Sequence, residues 1–294
     1  MPPTRREFSS LALAGLGLGL ALARAARAHA ARYKGVRLGI GTYSFRGLKL
    51  DEIIRIVAAA KVGGIELESP FVEPALPPAQ RDALHQWRLT VKLDELKAIR
   101  KKLDQAGISV YAYSLPINAS FTDEEIDRVM LMTKALGSPV LNTSTTLPVA
   151  RRIAPFAEKH KLLVGLHPNG NASDPNSIGS GESYLKAFEI SPRIYANPDL
   201  YLFRNWGADP IAFLRQIHSR ITTLHFHDRK LNVTPQVWVP FGEGDTPGRE
   251  LLLLARNEKY QFTFSIERIY TVPGFDQLTE ILNSLHYCEK VLDS

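Results

Sequence analysis

The chain of 294 residues is 45% hydrophobic and 22% charged, an ordinary globular composition that excludes a disordered or fibrous protein and is long enough for one large core. Its formal charge of +6 invites a nucleic-acid reading, but Arg5, Arg6, Arg24 and Arg27, set against Glu7, put half of that excess in the first 30 residues. What remains is too small to favour a polyanionic partner.

The chain opens with the adjacent pair Arg5-Arg6, then Phe8, an apolar Leu/Ala/Gly run from Leu11 to Ala23, and Ala28-His29-Ala30. This pattern reads as a twin-arginine export signal over residues 1–30, cleaved after Ala30 and leaving no stable membrane association. A spanning anchor is the poorer reading, because the run falls short of the ~20 residues a membrane helix needs and is diluted by glycine. Export would place the mature protein in the periplasm. The single Cys288 cannot form an internal disulfide there, so stability rests on packing.

From Tyr33 onward, β-like runs alternate with amphipathic stretches, and no Pro/Gly/Ser-rich linker divides them. Strands are predicted at Val36–Thr42, Gly64–Glu68, Ser109–Ser114, Pro139–Ser144, Leu162–His167, Arg193–Asn197, Ile221–His227 and Thr263–Glu267. Helical patterns lie at Leu50–Ala60, Leu93–Ala106, Asp123–Leu136, Val149–His160, Gly181–Phe188, Pro210–His218, Gly248–Asn257 and Asp276–Cys288. Eight βα units in one uninterrupted chain predict an α/β fold of the (β/α)8 TIM-barrel type, a single domain over residues 31–294. An open doubly wound sheet is disfavoured, since no G-x-G-x-x-G follows the first strand.

A barrel demands that chemistry-bearing side chains gather at the C-terminal strand ends. Read in order, those ends carry Glu66 and Glu68, Tyr113 and Ser114, Asn142 to Thr146, His167, Asn197 and Asp199, His225 and His227, and Glu267. His167, Asp199, His225 and Glu267, from four successive ends, suit a five- or six-coordinate divalent cation, Mn²⁺, Co²⁺, Zn²⁺ or Mg²⁺ rather than Ca²⁺. Within "TTLHFHDR", alternation puts His225 and His227 on one face and Phe226 on the other. Same-face neighbours stand ~6.5 Å apart along a strand, so His225 is expected to meet the metal and His227 to overshoot it as a polar contact. His160 and His218, in helical patterns near charged residues, are expected to be solvated. Arg229 and Glu243 are expected at the barrel mouth as substrate contacts, with Gly242 and Gly244 forming a tight loop.

The stretches "GIGTYSFRGL", "IELESPFVEPALPP", "SPRIYANPDLYLF", "ADPIAFLRQIHSRITTLHFHDRK", "FGEGDTP" and "SIER" resemble the sugar phosphate isomerase/epimerase family of xylose isomerase-like TIM barrels, over essentially all of the mature chain. The resemblance implies one divalent metal on His167, Asp199, His225 and Glu267, a small-molecule carbohydrate as partner, and no nucleic acid; a homo-oligomer is compatible with it. It also implies a metal-dependent isomerase or epimerase working through an enediolate, on a free sugar or keto-sugar given the export signal. The best-known epimerases carry Glu where this chain has His167 and pair it with the last-strand Glu as two bases, so one base is missing here. Catalytic roles therefore fall on Glu267, with Glu66 or His227 as the second group. Exported relatives show "HNH" and "DIGHF" where this chain has "HPN" and "DLYLF", which leaves Asn169 and Leu202 at histidine positions; Asn169 and Asn142 are the remaining substrate-contact candidates. Alternatives are a 3-keto-glycoside lyase that cleaves by β-elimination and needs only one base, and a non-catalytic sugar-binding protein. A phosphodiesterase of the endonuclease IV type would need more His, Asp and Glu ligands and a basic face.

Overall fold

The structure is a computed structural model that describes residues 31–77, 80–169, 174–199, 209–230, 233 and 237–294. The proposed signal segment and Leu202 lie outside the described residues. Strands are β1 (Ala31–Tyr33), β2 (Val36–Gly41), β3 (Gly64–Glu68), β4 (Ser109–Ser114), β5 (Val140–Ser144), β6 (Leu163–His167), β7 (Ile194–Ala196), β8 (Thr223–Phe226), β9 (Asp228–Lys230), β10 (Val237–Val239) and β11 (Thr263–Ile266). Helices are α1 (Leu50–Ala59), α2 (Arg81–Thr90), α3 (Leu93–Gln105), α4 (Asp123–Ala135), α5 (Leu147–His160), α6 (Gly181–Phe188), α7 (Pro210–Ile217), α8 (Gly248–Asn257) and α9 (Gln277–Asp293).

Eight strands run parallel in the order β7-β6-β5-β4-β3-β2-β11-β8. The two end strands meet through parallel bridges Ala196↔Ile221 and Asp199↔His225, which bring the sheet round into a nearly closed barrel. All eight predicted strands are present within a residue or two of their expected ends. Three features were not predicted: the short β1, which pairs antiparallel with the start of β2; the β9–β10 hairpin; and helix α2.

The alternation of each strand separates two environments. Leu38, Ile40, Ile65, Leu67, Leu141, Val164, Leu166, Leu224, Phe226, Phe264 and Ile266 are buried on the outer face, among helix residues such as Ile53, Val129, Ile153 and Leu251. The lumen is polar. There Asn142 donates to Glu66 Oε1 and to Thr223 Oγ1, both at 2.8 Å, Asn197 donates to the Thr223 carbonyl at 3.1 Å, and the Tyr111 hydroxyl lies 2.8 Å from Ser265 Oγ. Crowding explains Gly165 in β6: a Cβ there would collide with Asn142 Oδ1 and Thr222 Oγ1.

Helix starts follow local rules. Thr122 accepts from Glu125 N at 3.1 Å, Asp276 from Thr279 N at 2.7 Å, and Ser180 from Ser183 N at 3.2 Å, each satisfying an amide that the helix itself cannot. The two helical histidines are not solvated as expected. His160 is buried with Nε2 2.6 Å from Asp127, and His218 stacks on Tyr260 at 4.3 Å. No helix among the described residues is long and apolar enough to cross a membrane.

Candidate metal centre and active site

Strand register assembles the site. Ser144 pairs with His167 between β5 and β6, and Ser144 Oγ lies 3.1 Å from His167 Nδ1. The bridge Asp199↔His225 sets those two side by side, and Ser265↔His225 brings Glu267, two residues on, against the same imidazole. The His167 and His225 rings are 4.7 Å apart, and His225 Nδ1 is 3.3 Å from Glu267 Oε1. Ligand atoms of His167, Asp199 and His225 lie within 4.8 Å of one another, the one such cluster among the described residues. Two imidazoles and a carboxylate, with a further carboxylate adjacent, form a donor set that fits a divalent metal ion. The carboxyls of Asp199, Glu267 and Glu66 lie buried about this cluster, so negative charge faces the place a cation would take.

A pocket of about 410 Å³ opens over this cluster, lined by Tyr43, Glu68, Ser69, Pro70, Ser114, Pro116, Ser144, His167, Asp199, His225, Arg229, Trp238, Glu267 and Ile269. Its electrostatics follow from burial and neighbours. Burial, with His225 beside it, pulls the His167 pKa down to about 4, which leaves a neutral ring ready to ligate. His225 would also be lowered by burial, but Glu267 and Glu66 outweigh that and raise it to about 10. Burial would raise Asp199, yet the His227 imidazole at 2.6 Å holds it well below the usual carboxylate range. Glu267 is raised by burial and by Asp199 and Glu66. Glu68 is pushed up to about 9 by burial and then by Glu267 and Glu66.

The expected site residues divide into three groups. His167, Asp199, His225 and Glu267 converge on the pocket, and Arg229 joins them there, its guanidinium carbon 3.8 Å from the Trp238 ring centroid. His227 faces into the barrel as alternation predicts; it does not line the pocket but lies 4.0 Å from the Trp238 ring and grips Asp199. Four expectations are corrected. Glu66 is fully buried below the pocket, bonded to Asn142 and His225, and so out of reach of a substrate proton. Asn142 is equally buried beneath it and serves the lumen instead of a ligand. Asn169 is turned into its own loop, where it donates to the Thr145 carbonyl at 2.9 Å and accepts from Ser177. Glu243 is exposed on the loop after β10 and does not line the pocket.

Two further features were misread or missed. Glu68 is the pocket carboxyl of β3, although the sequence reading chose Glu66 of the two as the catalytic candidate. Asp228 does not line the pocket and has a task of its own: it accepts from Arg229 N, Gly242 N and Gly244 N, each at 2.9 Å, and so ties the "FGEGD" loop to the end of β8. A Cβ at Gly244 would collide with that carboxylate, and Gly242 takes φ of 89°, which confirms the tight loop.

Comparison with protein-family models and with curated proteins gives no match. Solved structures do match, and at their low identities they show the fold alone: a (β/α)8 TIM barrel. A xylose isomerase domain protein from Planctomyces limnophilus is 16% identical with a TM-score of 0.63, covering 87% of this chain and 96% of its own. An L-ribulose 3-epimerase is 15% identical with a TM-score of 0.64, covering 88% and 95%. IolI protein, solved with a bound zinc atom, is 15% identical with a TM-score of 0.64, covering 87% and 98%.

Proposed function

We propose that this barrel is a divalent-metal-dependent sugar isomerase or epimerase that acts on a free sugar or keto-sugar through an enediolate. The observation that carries this reading is the meeting, in one 410 Å³ pocket, of the His167, Asp199 and His225 cluster with the carboxyls of Glu267 and Glu68. The shared fold of a ribulose epimerase and of a zinc-bearing barrel supports it. His167, Asp199, His225 and Glu267 would hold the cation, which when bound acts as a Lewis acid on the substrate's oxygens.

The chain's own residues supply the proton chemistry. The Glu267 carboxylate, made more basic by burial beside Asp199 and Glu66, removes a proton from the carbon next to the carbonyl. The C–H electron pair moves into the carbonyl, giving the enediolate. Glu68, with its pKa raised to about 9, is a neutral acid at pH 7 and returns a proton. Delivery to the opposite face of the same carbon gives the epimer, and delivery to the neighbouring carbon gives the isomer. Glu68 thus takes the place of the base that the family resemblance left missing at His167. Trp238, Ile269, Pro70 and Pro116 form an apolar wall that limits water, and Arg229 orients hydroxyl or carbonyl oxygens.

The neutral acid Glu68 also favours a second reading, a 3-keto-glycoside lyase, in which the same acid protonates the departing C1 oxygen. Incubation with free and 3-keto sugars in D₂O separates the two. Solvent deuterium in an epimer or isomer supports the first reading and release of an aglycone the second, while neither deuterium in a sugar nor release of an aglycone overturns both. Metal content should track the site: His225→Ala loses tight Zn²⁺ or Co²⁺ binding, whereas His227→Ala keeps the metal at reduced affinity. Full occupancy in His225→Ala would undo the assignment. The Arg5-Arg6 pair supports action in the periplasm.

A further inference from the structure

Glu66 stands two residues from Glu68 on β3, yet it is fully buried and does not line the pocket. A carboxylate sealed from water persists only where its oxygens are bonded. Here Asn142 Nδ2 donates to Oε1 at 2.8 Å, and His225 Nε2 lies 3.2 and 3.3 Å from the two oxygens. Asn142 is itself fixed, donating to Thr223 Oγ1 at 2.8 Å and accepting from Thr222 Oγ1 at 3.0 Å. The carboxylate is therefore braced from below by three strands, β3, β5 and β8, and both its oxygens address one edge of the His225 ring. The opposite edge, with Nδ1, faces Glu267 at 3.3 Å.

An imidazole whose one N–H is held by a carboxylate has its tautomer and ring orientation set, and the lone pair on its other nitrogen gains basicity. We infer that Glu66 is a positioning residue of the metal centre, which holds the proton of His225 on Nε2 and so presents Nδ1 to the cation shared with His167 and Asp199. The inference rests on the metal reading given under Proposed function. It also accounts for a charged residue and an asparagine in the barrel lumen, where aliphatic side chains would pack without any need for partners. His227 plays the parallel part for Asp199, with Nε2 2.6 Å from Oδ1. Two ligands of the cluster are thus gripped by side chains that the substrate does not reach.

The test uses Co²⁺ and Zn²⁺ as probes on the full chain purified free of metal. Affinity is measured by calorimetry or chelator competition, the Co²⁺ visible spectrum is recorded, and the melting temperature of the metal-free protein is followed in parallel. Glu66→Gln keeps the size and an acceptor for Asn142 or His225 but removes the charge. Its Kd for both ions is expected to rise about 10- to 100-fold, with a changed Co²⁺ spectrum. Glu66→Asp keeps the charge and withdraws it from the ring by one methylene; it is expected to shift Kd and spectrum in the same direction and covers the case in which Glu66→Gln does not fold. A lowered melting temperature with wild-type Kd and spectrum would make Glu66 a structural residue only and overturn the inference. If wild-type protein binds neither ion, the metal reading itself fails, a result distinct from equal binding by wild type and variants.

Discussion

His225 is held between two carboxylates, and this sets how the site responds to pH. Burial would lower its pKa, but Glu267 and Glu66 outweigh burial and raise it to about 10, so below that pH the ring carries a proton that a metal ion must displace. Zn²⁺ uptake at pH 7 is therefore expected to release at least one proton per ion. Affinity should climb with pH by about tenfold per unit, because each unit makes proton competition tenfold weaker. Calorimetry in buffers of differing ionisation enthalpy reads the proton count, and a count of zero would contradict the role of His225. His167, lowered to about 4, is already neutral and adds nothing to that count. The residue types of this cluster were legible as a series of strand-end His, Asp and Glu. The choice between Glu66 and Glu68 was not, since alternation puts both on the same face and says nothing about depth along the barrel axis.

At the scale of elements, the eight barrel strands and most of the helices followed from apolar periodicity, while helix α2 did not. Its sequence "RDALHQWRLT" is mostly polar and short, and among its side chains Trp87 packs against the core. A buried ionic knot also ties it down: Arg88 pairs with Glu73 at 2.6 Å and Glu125 at 2.9 Å, and His85 Nδ1 is 2.6 Å from Glu125. The Arg88, Glu73 and Glu125 side chains are exposed by 8%, 7% and 1%, so solvent screens them little. Arg88→Met is expected to cost about 3 kcal/mol or more, because it leaves two carboxylates buried without their cation. Replacing both Glu73 and Glu125 by Gln in that background should recover part of the loss. Chemical denaturation measures both, and a change below about 1 kcal/mol in Arg88→Met would show the knot to be dispensable. Glu73 follows the Ser69–Phe71 turn, which carries Ser69 and Pro70 of the pocket wall, so the knot also steadies one side of the site. The β9–β10 hairpin escaped notice for a related reason: strands of three residues hold too few positions to show a period.

For the whole molecule, the proposed export signal and the barrel would make separate demands on the chain. The Arg5-Arg6 pair and the apolar run from Leu11 to Ala23 precede the first described strand, and the single buried Cys288 asks nothing of an oxidising compartment. Replacing Arg5 and Arg6 by Lys is expected to retain the protein in the cytoplasm with its full N-terminal segment, as read by fractionation and N-terminal sequencing. Unchanged export and processing at Ala30 would remove the twin-arginine reading without touching the barrel.

The sequence by itself determined the number of βα units, the strands on which chemistry falls, and the sides of β8 taken by His225 and Phe226. Each of these is a local property, set by the two-residue period of a strand or the alternation of strand and helix signals. Only the tertiary structure decided which polar side chains meet. Glu66 and Asn142 are 76 residues apart, Glu66 and His225 are 159, and His227 and Asp199 are 28. Those contacts depend on strand stagger and on the closing of β7 against β8, which no window along the chain contains. Depth in the lumen then separates Glu68, which meets the pocket, from Glu66, which holds the histidine beneath it.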